Sequence, residues 1–116
     1  MVNNTTILEL VERIKEFDPD KIILFGSYAN GNATDESDVD LFVVKNLEMG
    51  KIRDMRIEMM RSISNIIWDY KIDVDLLLDN EEHINYRISI GDKFYDEIIT
   101  NGKLLYAKQN ISERVA

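Results

Sequence analysis

With 116 residues, 45% of them hydrophobic and 31% charged, the chain is expected to form one soluble globular domain with a single core. A net charge of −8 argues against a long nucleic-acid strand as partner for this chain by itself. The lack of cysteine excludes disulfides and thiolate zinc sites and fits a reducing cytoplasm, and no signal pattern or apolar run of bilayer length appears.

In chain order, Thr6-Ile7-Leu8-Glu9 reads as a capping box, and Ile7, Leu10, Val11, Ile14 and Phe17 follow at helical spacing, so a first helix is expected from about Ile7 to Phe17. Asp18-Pro19-Asp20 breaks it and turns the chain into a strand over Lys21 to Phe25. That strand stops at Gly26-Ser27. A short helical turn through Asn30, ended by Gly31, and a polar loop over 32–37 lead to Asp38-Val39-Asp40 and a second apolar run, Leu41-Phe42-Val43-Val44.

From Met49 to Tyr70, Ile52, Met55, Met59, Ile63 and Ile66 form one stripe at helical period, with Trp68 read as packing and Arg53, Arg56 and Arg61 as its solvent face. A third strand over Ile72 to Leu78 follows. A connection carried by a helix suits a right-handed crossover, which makes the second and third strands parallel neighbours. Asp79 or Asn80 caps another helix, which breaks near Gly91. A segment from Lys93 to Thr100 closes at Asn101-Gly102, and Leu104-Leu105-Tyr106 adds an edge strand. The fold class expected is α/β (α+β): a small mixed sheet of three to four strands flanked by helices. Residues 1–108 form the domain and 109–116 a polar tail that frays.

Chemistry concentrates around Gly26 and Asp38. Strand alternation puts Asp38 and Asp40 on one face, and two adjacent carboxylates repel unless a cation neutralises them. Hard divalent ions such as Mg2+ accept such oxygens and also bind substrate phosphates. Gly26 permits close backbone approach, and the Ser27 hydroxyl with the following N–H groups can cradle phosphate oxygens. Asp73 and Asp75 share a face by the same alternation and offer a third carboxylate. Tyr28, inside the turn, either stacks on a base or packs against the sheet. His83, the single histidine, reads as a solvated surface residue.

Gly26-Ser27, ten residues, then Asp38-x-Asp40 resembles the signature of the DNA polymerase β-like nucleotidyltransferases, and the stretch Gly26 to Leu41 looks like their minimal nucleotidyltransferase (MNT) branch. The preceding helix, the long following helix and Val74-Asp75-Leu76 match the family's order. The resemblance implies that Asp38, Asp40 and Asp75 hold two Mg2+ ions and catalyse transfer. It implies that Gly26, Ser27 and Tyr28 bind the nucleotide donor, ATP. Members commonly carry arginine in a Gly-Ser-x-Ala-Arg-Gly run, where this chain has Asn30, which brings no full charge to a phosphate.

MNT proteins of this size resemble the antitoxins of HEPN/MNT toxin–antitoxin pairs, implied to modify a tyrosine of a HEPN ribonuclease with AMP. The expected function is therefore Mg2+-dependent adenylyl transfer from ATP to such a protein. A binding module that neutralises the partner sterically and a small-molecule nucleotidyltransferase are the alternatives. A half-open site also leaves room for a second copy of the chain to close it.

Overall fold

Four short, largely apolar runs divide the molecule into layers, because each strand sends successive side chains to opposite faces of the sheet. The computed structural model describes residues 2–109. Its elements in order are α1 (Asn4–Lys15), β1 (Lys21–Phe25), α2 (Ser27–Asn30), β2 (Val39–Val44), α3 (Met49–Tyr70), β3 (Val74–Asp79), α4 (Glu81–Ser89), α5 (Lys93–Asn101) and β4 (Lys103–Ala107). The strands form one mixed sheet in the order β3-β2-β1-β4. β1 is antiparallel to both β2 and β4, whereas β2 and β3, joined through α3, are parallel as the crossover argument requires.

The main core lies on one face, where Leu24, Leu41, Val43 and Leu76 meet Leu10 and Ile14 of α1 and Met59 and Ile63 of α3. At about 1.5–3 kcal/mol per fully buried aliphatic side chain, this layer supplies most of the driving force. The opposite face carries a smaller cluster, Ile23, Phe42 and Val44 against Ile84 of α4 and Ile98 of α5. Asp40 has the same parity along β2 as Phe42 and Val44, so it faces this second, partly covered side.

Four sequence expectations change. α1 begins at Asn4 because Asn3 is its N-cap, accepting from the Thr6 N–H at 3.0 Å; Thr6 lies buried inside the helix and donates its hydroxyl to the same Asn3 oxygen at 3.1 Å. Asparagine caps as well as threonine does, and the earlier start adds a turn to the helix. β3 begins at Val74 rather than Ile72, since Lys71 turns left-handed (φ 54°) and the Ile72 N–H still bonds back to Ile67. Trp68, expected to pack, is 83% exposed, because it lies off the Met59-Ile63-Ile66 stripe. Arg56, expected in solvent, instead donates its Nε–H to the Leu76 carbonyl at 2.7 Å. A guanidinium there satisfies a carbonyl of edge strand β3 and blunts that edge.

The boundaries of α3 and the expected edge strand near Leu104 stand. Of the expected tail, only Gln109 is described; residues 110–116 lie outside the described residues. Among the described residues no helix is long and apolar enough to cross a membrane.

Candidate active site

The site begins with backbone register. In the parallel β2/β3 ladder Asp40 pairs with Asp75, and in the antiparallel β1/β2 ladder it pairs with Phe25, the last residue before the Gly26 turn. Neighbouring strands lie about 4.8 Å apart, so Asp75 and the turn stand on either side of Asp40. Asp38 precedes β2 by one residue and adds a third carboxylate within electrostatic reach. Burial, and then the charges of Asp75 and Asp38, hold the Asp40 carboxyl above its ordinary value. Asp73 does not join this group. It lies before β3, where its carbonyl accepts the Val39 N–H at 2.9 Å, and it lines a separate cleft with Asn3, Thr6 and Tyr70.

Gly26 is where the turn meets the carboxylates. Its backbone, φ 72° and ψ −153°, lies in a region open essentially only to glycine, and a Cβ added there would stand 2.2 Å from Asp40 Oδ2. The Gly26 carbonyl accepts from Ala29 and Asn30 as α2 starts, and Gly31 ends α2 in the left-handed region at φ 79°. The first N–H groups of a helix lack an intrahelical acceptor, so those of Ser27 and Tyr28 are available to a ligand. The Tyr28 side chain is engaged elsewhere: its ring packs against the main core and its hydroxyl accepts the Val2 N–H at 3.0 Å. That is the packing alternative for Tyr28, leaving its backbone to the turn.

Among the described residues no three Asp, Glu, His or Cys side chains already close into a ligating group. The donor chemistry nevertheless fits a hard cation. Asp75 and Asp38 lie within electrostatic reach of Asp40 with no thiolate or imidazole beside them, and of the two causes that raise Asp40, burial and then these charges, the second is what a divalent ion relieves.

A second polar cluster, which the sequence did not reveal, occupies the other end of β3. Asp79 is buried and accepts from the Tyr95 hydroxyl at 2.5 Å and the Asn80 N–H at 2.8 Å, with His83 Nδ1 at 2.6 Å. His83 is therefore partnered rather than solvated. Burial, and then the hydrogen bond to Asp79, push the Tyr95 phenol well above its usual value. The Asp79–His83 spacing of four was visible in sequence, but Tyr95 arrives only through the packing of α5. Removing the carboxylate leaves one buried N–H and two partly buried side chains without their acceptor, so Asp79→Ala is expected to lose about 1–3 kcal/mol of stability. A urea titration with unchanged slope and a lower midpoint checks this.

The family model described as polymerase beta, nucleotidyltransferase matches residues 9–111, which include the Gly26 turn, Asp40 and Asp75. The chain belongs to that family. As a nucleotidyltransferase it resembles a candidate protein adenylyltransferase of Methanocaldococcus jannaschii, 30% identical over 86 residues that cover 74% of this chain and 77% of the relative. Among solved structures it resembles a chain of a toxin–antitoxin complex determined with AMP-PNP, at 23% identity and TM-score 0.53, covering 97% of this chain and 80% of the other. It also resembles a chain of the complex between a tri-AMPylated Shewanella oneidensis HEPN toxin and its MNT antitoxin, at 20% identity and TM-score 0.51, covering 95% and 76%. At these identities the structural likeness is one of fold.

Proposed function

We propose that this nucleotidyltransferase moves AMP from ATP to a tyrosine hydroxyl on a HEPN-type ribonuclease and so acts as its antitoxin in the cytoplasm. The observation that carries the reading is the register that sets Asp75 beside Asp40 and the Gly26 turn on Asp40's other side. It is supported by the adenylyltransferase relative and by the AMP-PNP and AMPylated complexes that share the fold.

In this reading Asp38 and Asp40 would hold Mg2+, with Asp75 completing the set for a second ion. The ions would offset charge on the triphosphate and on the attacking oxygen. Gly26 and Ser27 hold the β- and γ-phosphates through the Ser27 hydroxyl and the turn's N–H groups. Asp75, exposed at the start of β3, takes the proton of the acceptor hydroxyl as its oxygen bonds to the α-phosphorus. The bond from that phosphorus to pyrophosphate breaks. Asn30, at the end of α2, brings no full charge to the triphosphate where the family's run has arginine. The half-open face beside Asp40 suits an acceptor that brings its own surface.

Calorimetric titration of ATP into the chain with Mg2+, beside the Asp38→Ala/Asp40→Ala double variant, tests the reading. Binding by the wild type that vanishes in the variant is expected, followed by AMP-sized mass increments on the HEPN partner when the three are mixed. Neutralisation of the partner without ATP binding or mass gain would replace the enzyme with a steric inhibitor.

A further inference from the structure

The outer side of α3 carries large apolar side chains that the fold leaves without a partner. Trp68 is 83% exposed and Ile57 37%, although the opposite side of the same helix is packed into the main core. At 3.6 residues per turn, Arg53, Ile57, Met60, Ser64 and Trp68 fall within an arc of about 80°, roughly opposite the Met59, Ile63 and Ile66 stripe. They form a second stripe along most of the helix. Burial of an indole and an aliphatic side chain favours association, and tryptophan is enriched among the residues that carry binding energy.

Charge decides what can cover this stripe. With a net charge of −8, two copies of the chain repel unless they meet through a face that carries no excess of carboxylates. Two other openings in the surface do carry one. Glu9, Glu12, Glu16 and Asp69 line the groove between α1 and α3 against the single Arg13, and Asp20, Glu48, Glu81 and Glu82 line the crevice at the start of α4. A basic partner is drawn to those openings. The outer side of α3 is balanced instead, with Arg53 and Arg61 set against Asp54 and Glu58, and Arg61 already pairs with Glu58 at 2.8 Å. It is therefore the face on which a second copy can approach.

The stripe is also complementary to itself. In an antiparallel pair of α3 helices with the two-fold axis between Met60 and Arg61, Arg53 comes opposite the partner's Trp68 and Ile57 opposite the partner's Ser64. Symmetry makes each contact twice. The guanidinium can then lie on the indole face as a cation–π contact, the branched Ile57 meets the smallest residue of the stripe, and Met60 runs along the aliphatic stem of the partner's Arg61.

We propose that the outer side of α3 is the seam of a two-fold homodimer, anchored by Trp68 against Arg53 across the axis. α3 covers the main-core face of the sheet whereas Asp40 lies on the other, so both carboxylate sites of the dimer stay open. The face of one helix is at the small end of specific interfaces, so association is expected at high micromolar concentration.

The test is sedimentation velocity on the full chain from micromolar to millimolar concentration, read beside fluorescence. Trp68 is the single tryptophan, so its emission reports the seam directly. The wild type is expected to pass from monomer to dimer while its emission shifts to the blue over the same concentrations. Trp68→Ala should weaken the dimer about tenfold, since the cation–π contact is lost twice. Ser64→Arg, which sets a bulky cation against the partner's Ile57, should abolish both the dimer and the blue shift. Leu8→Ser, in the acidic groove, should leave both unchanged. All three positions are exposed, so the variants should melt with the wild-type monomer. A chain that stays monomeric to millimolar concentration, a dimer that forms without a blue shift, or one that Trp68→Ala and Ser64→Arg leave intact would overturn the seam. A blue shift seen only when a HEPN-type protein is added would give the stripe to that protein and overturn the homodimer too.

Discussion

Asp40→Asn is expected to lower nucleotide transfer at least about a thousandfold while raising the melting temperature of the metal-free chain at pH 7. The two effects have one cause. Asp40 sits between Asp75 and the Gly26 turn, and burial together with the charges of Asp75 and Asp38 keeps its carboxyl above the ordinary aspartate value. A carboxyl whose pKa is higher in the folded than in the unfolded state takes up its proton more readily when native. Its ionised form therefore opposes folding at neutral pH, and that opposition is relieved as the pH falls through the folded value. Asparagine removes the charge at nearly constant shape, so the variant should melt above wild type at pH 7 and converge with it in acid. Added Mg2+ should invert the order, since a cation held by the wild-type carboxylates stabilises that fold by mass action and has less to bind in the variant. In the proposed reading, the activity loss follows from removing one of the carboxylates that would hold the charge-stabilising cation at the reacting phosphate. Melting curves at pH 7 and pH 4, with chelator and with Mg2+, check the stability half. A single-turnover transfer assay checks the other. A variant that melts below wild type in chelator would mean that Asp40 is held by favourable partners rather than by repulsion.

The sequence carried the order of the elements well because each depends on a local period. The α3 stripe, the apolar runs of β1 and β2, and the Gly31 and Gly91 breaks all appear where the pattern places them. The parallel pairing of β2 and β3 followed from the crossover. The choice between Asp73 and Asp75 is different. Both lie on one face of an ideal strand, and only the left-handed Lys71 and the late start of β3, set by how α3 ends, separate them. The partners of Asp79 were invisible for a similar reason, since Tyr95 is sixteen residues away and reaches it through α5. Arg56 and Trp68 show a limit of helical periodicity. The period marks the buried stripe, but it does not say which flanking side chain bends back to a strand carbonyl and which stays in water.

Gly26→Ala should damage the protein in two separable ways, and Gly31→Ala serves as the control that separates them. At Gly26 the backbone occupies a conformation that an L side chain tolerates only at a cost of about 1–3 kcal/mol. The new methyl group would also stand 2.2 Å from Asp40 Oδ2, so either the turn shifts or the carboxylate swings away. The end of an aspartate side chain moves cheaply, which limits the further loss of stability. It does not spare the chemistry, because the displaced group is the carboxylate at the centre of the site. For a domain of about 100 residues each kcal/mol lowers the melting temperature by about 4–8 °C, so a drop of roughly that size up to three times it is expected, along with at least about a hundredfold loss of transfer. Gly31 has a similar positive φ of 79°, but nothing lies within 4 Å of a Cβ added there. Gly31→Ala should therefore melt lower by a comparable strain while keeping transfer within a fewfold of wild type. Equal activity losses in the two variants, measured at a temperature where both are folded, would show that strain in α2 rather than contact with Asp40 makes Gly26 necessary.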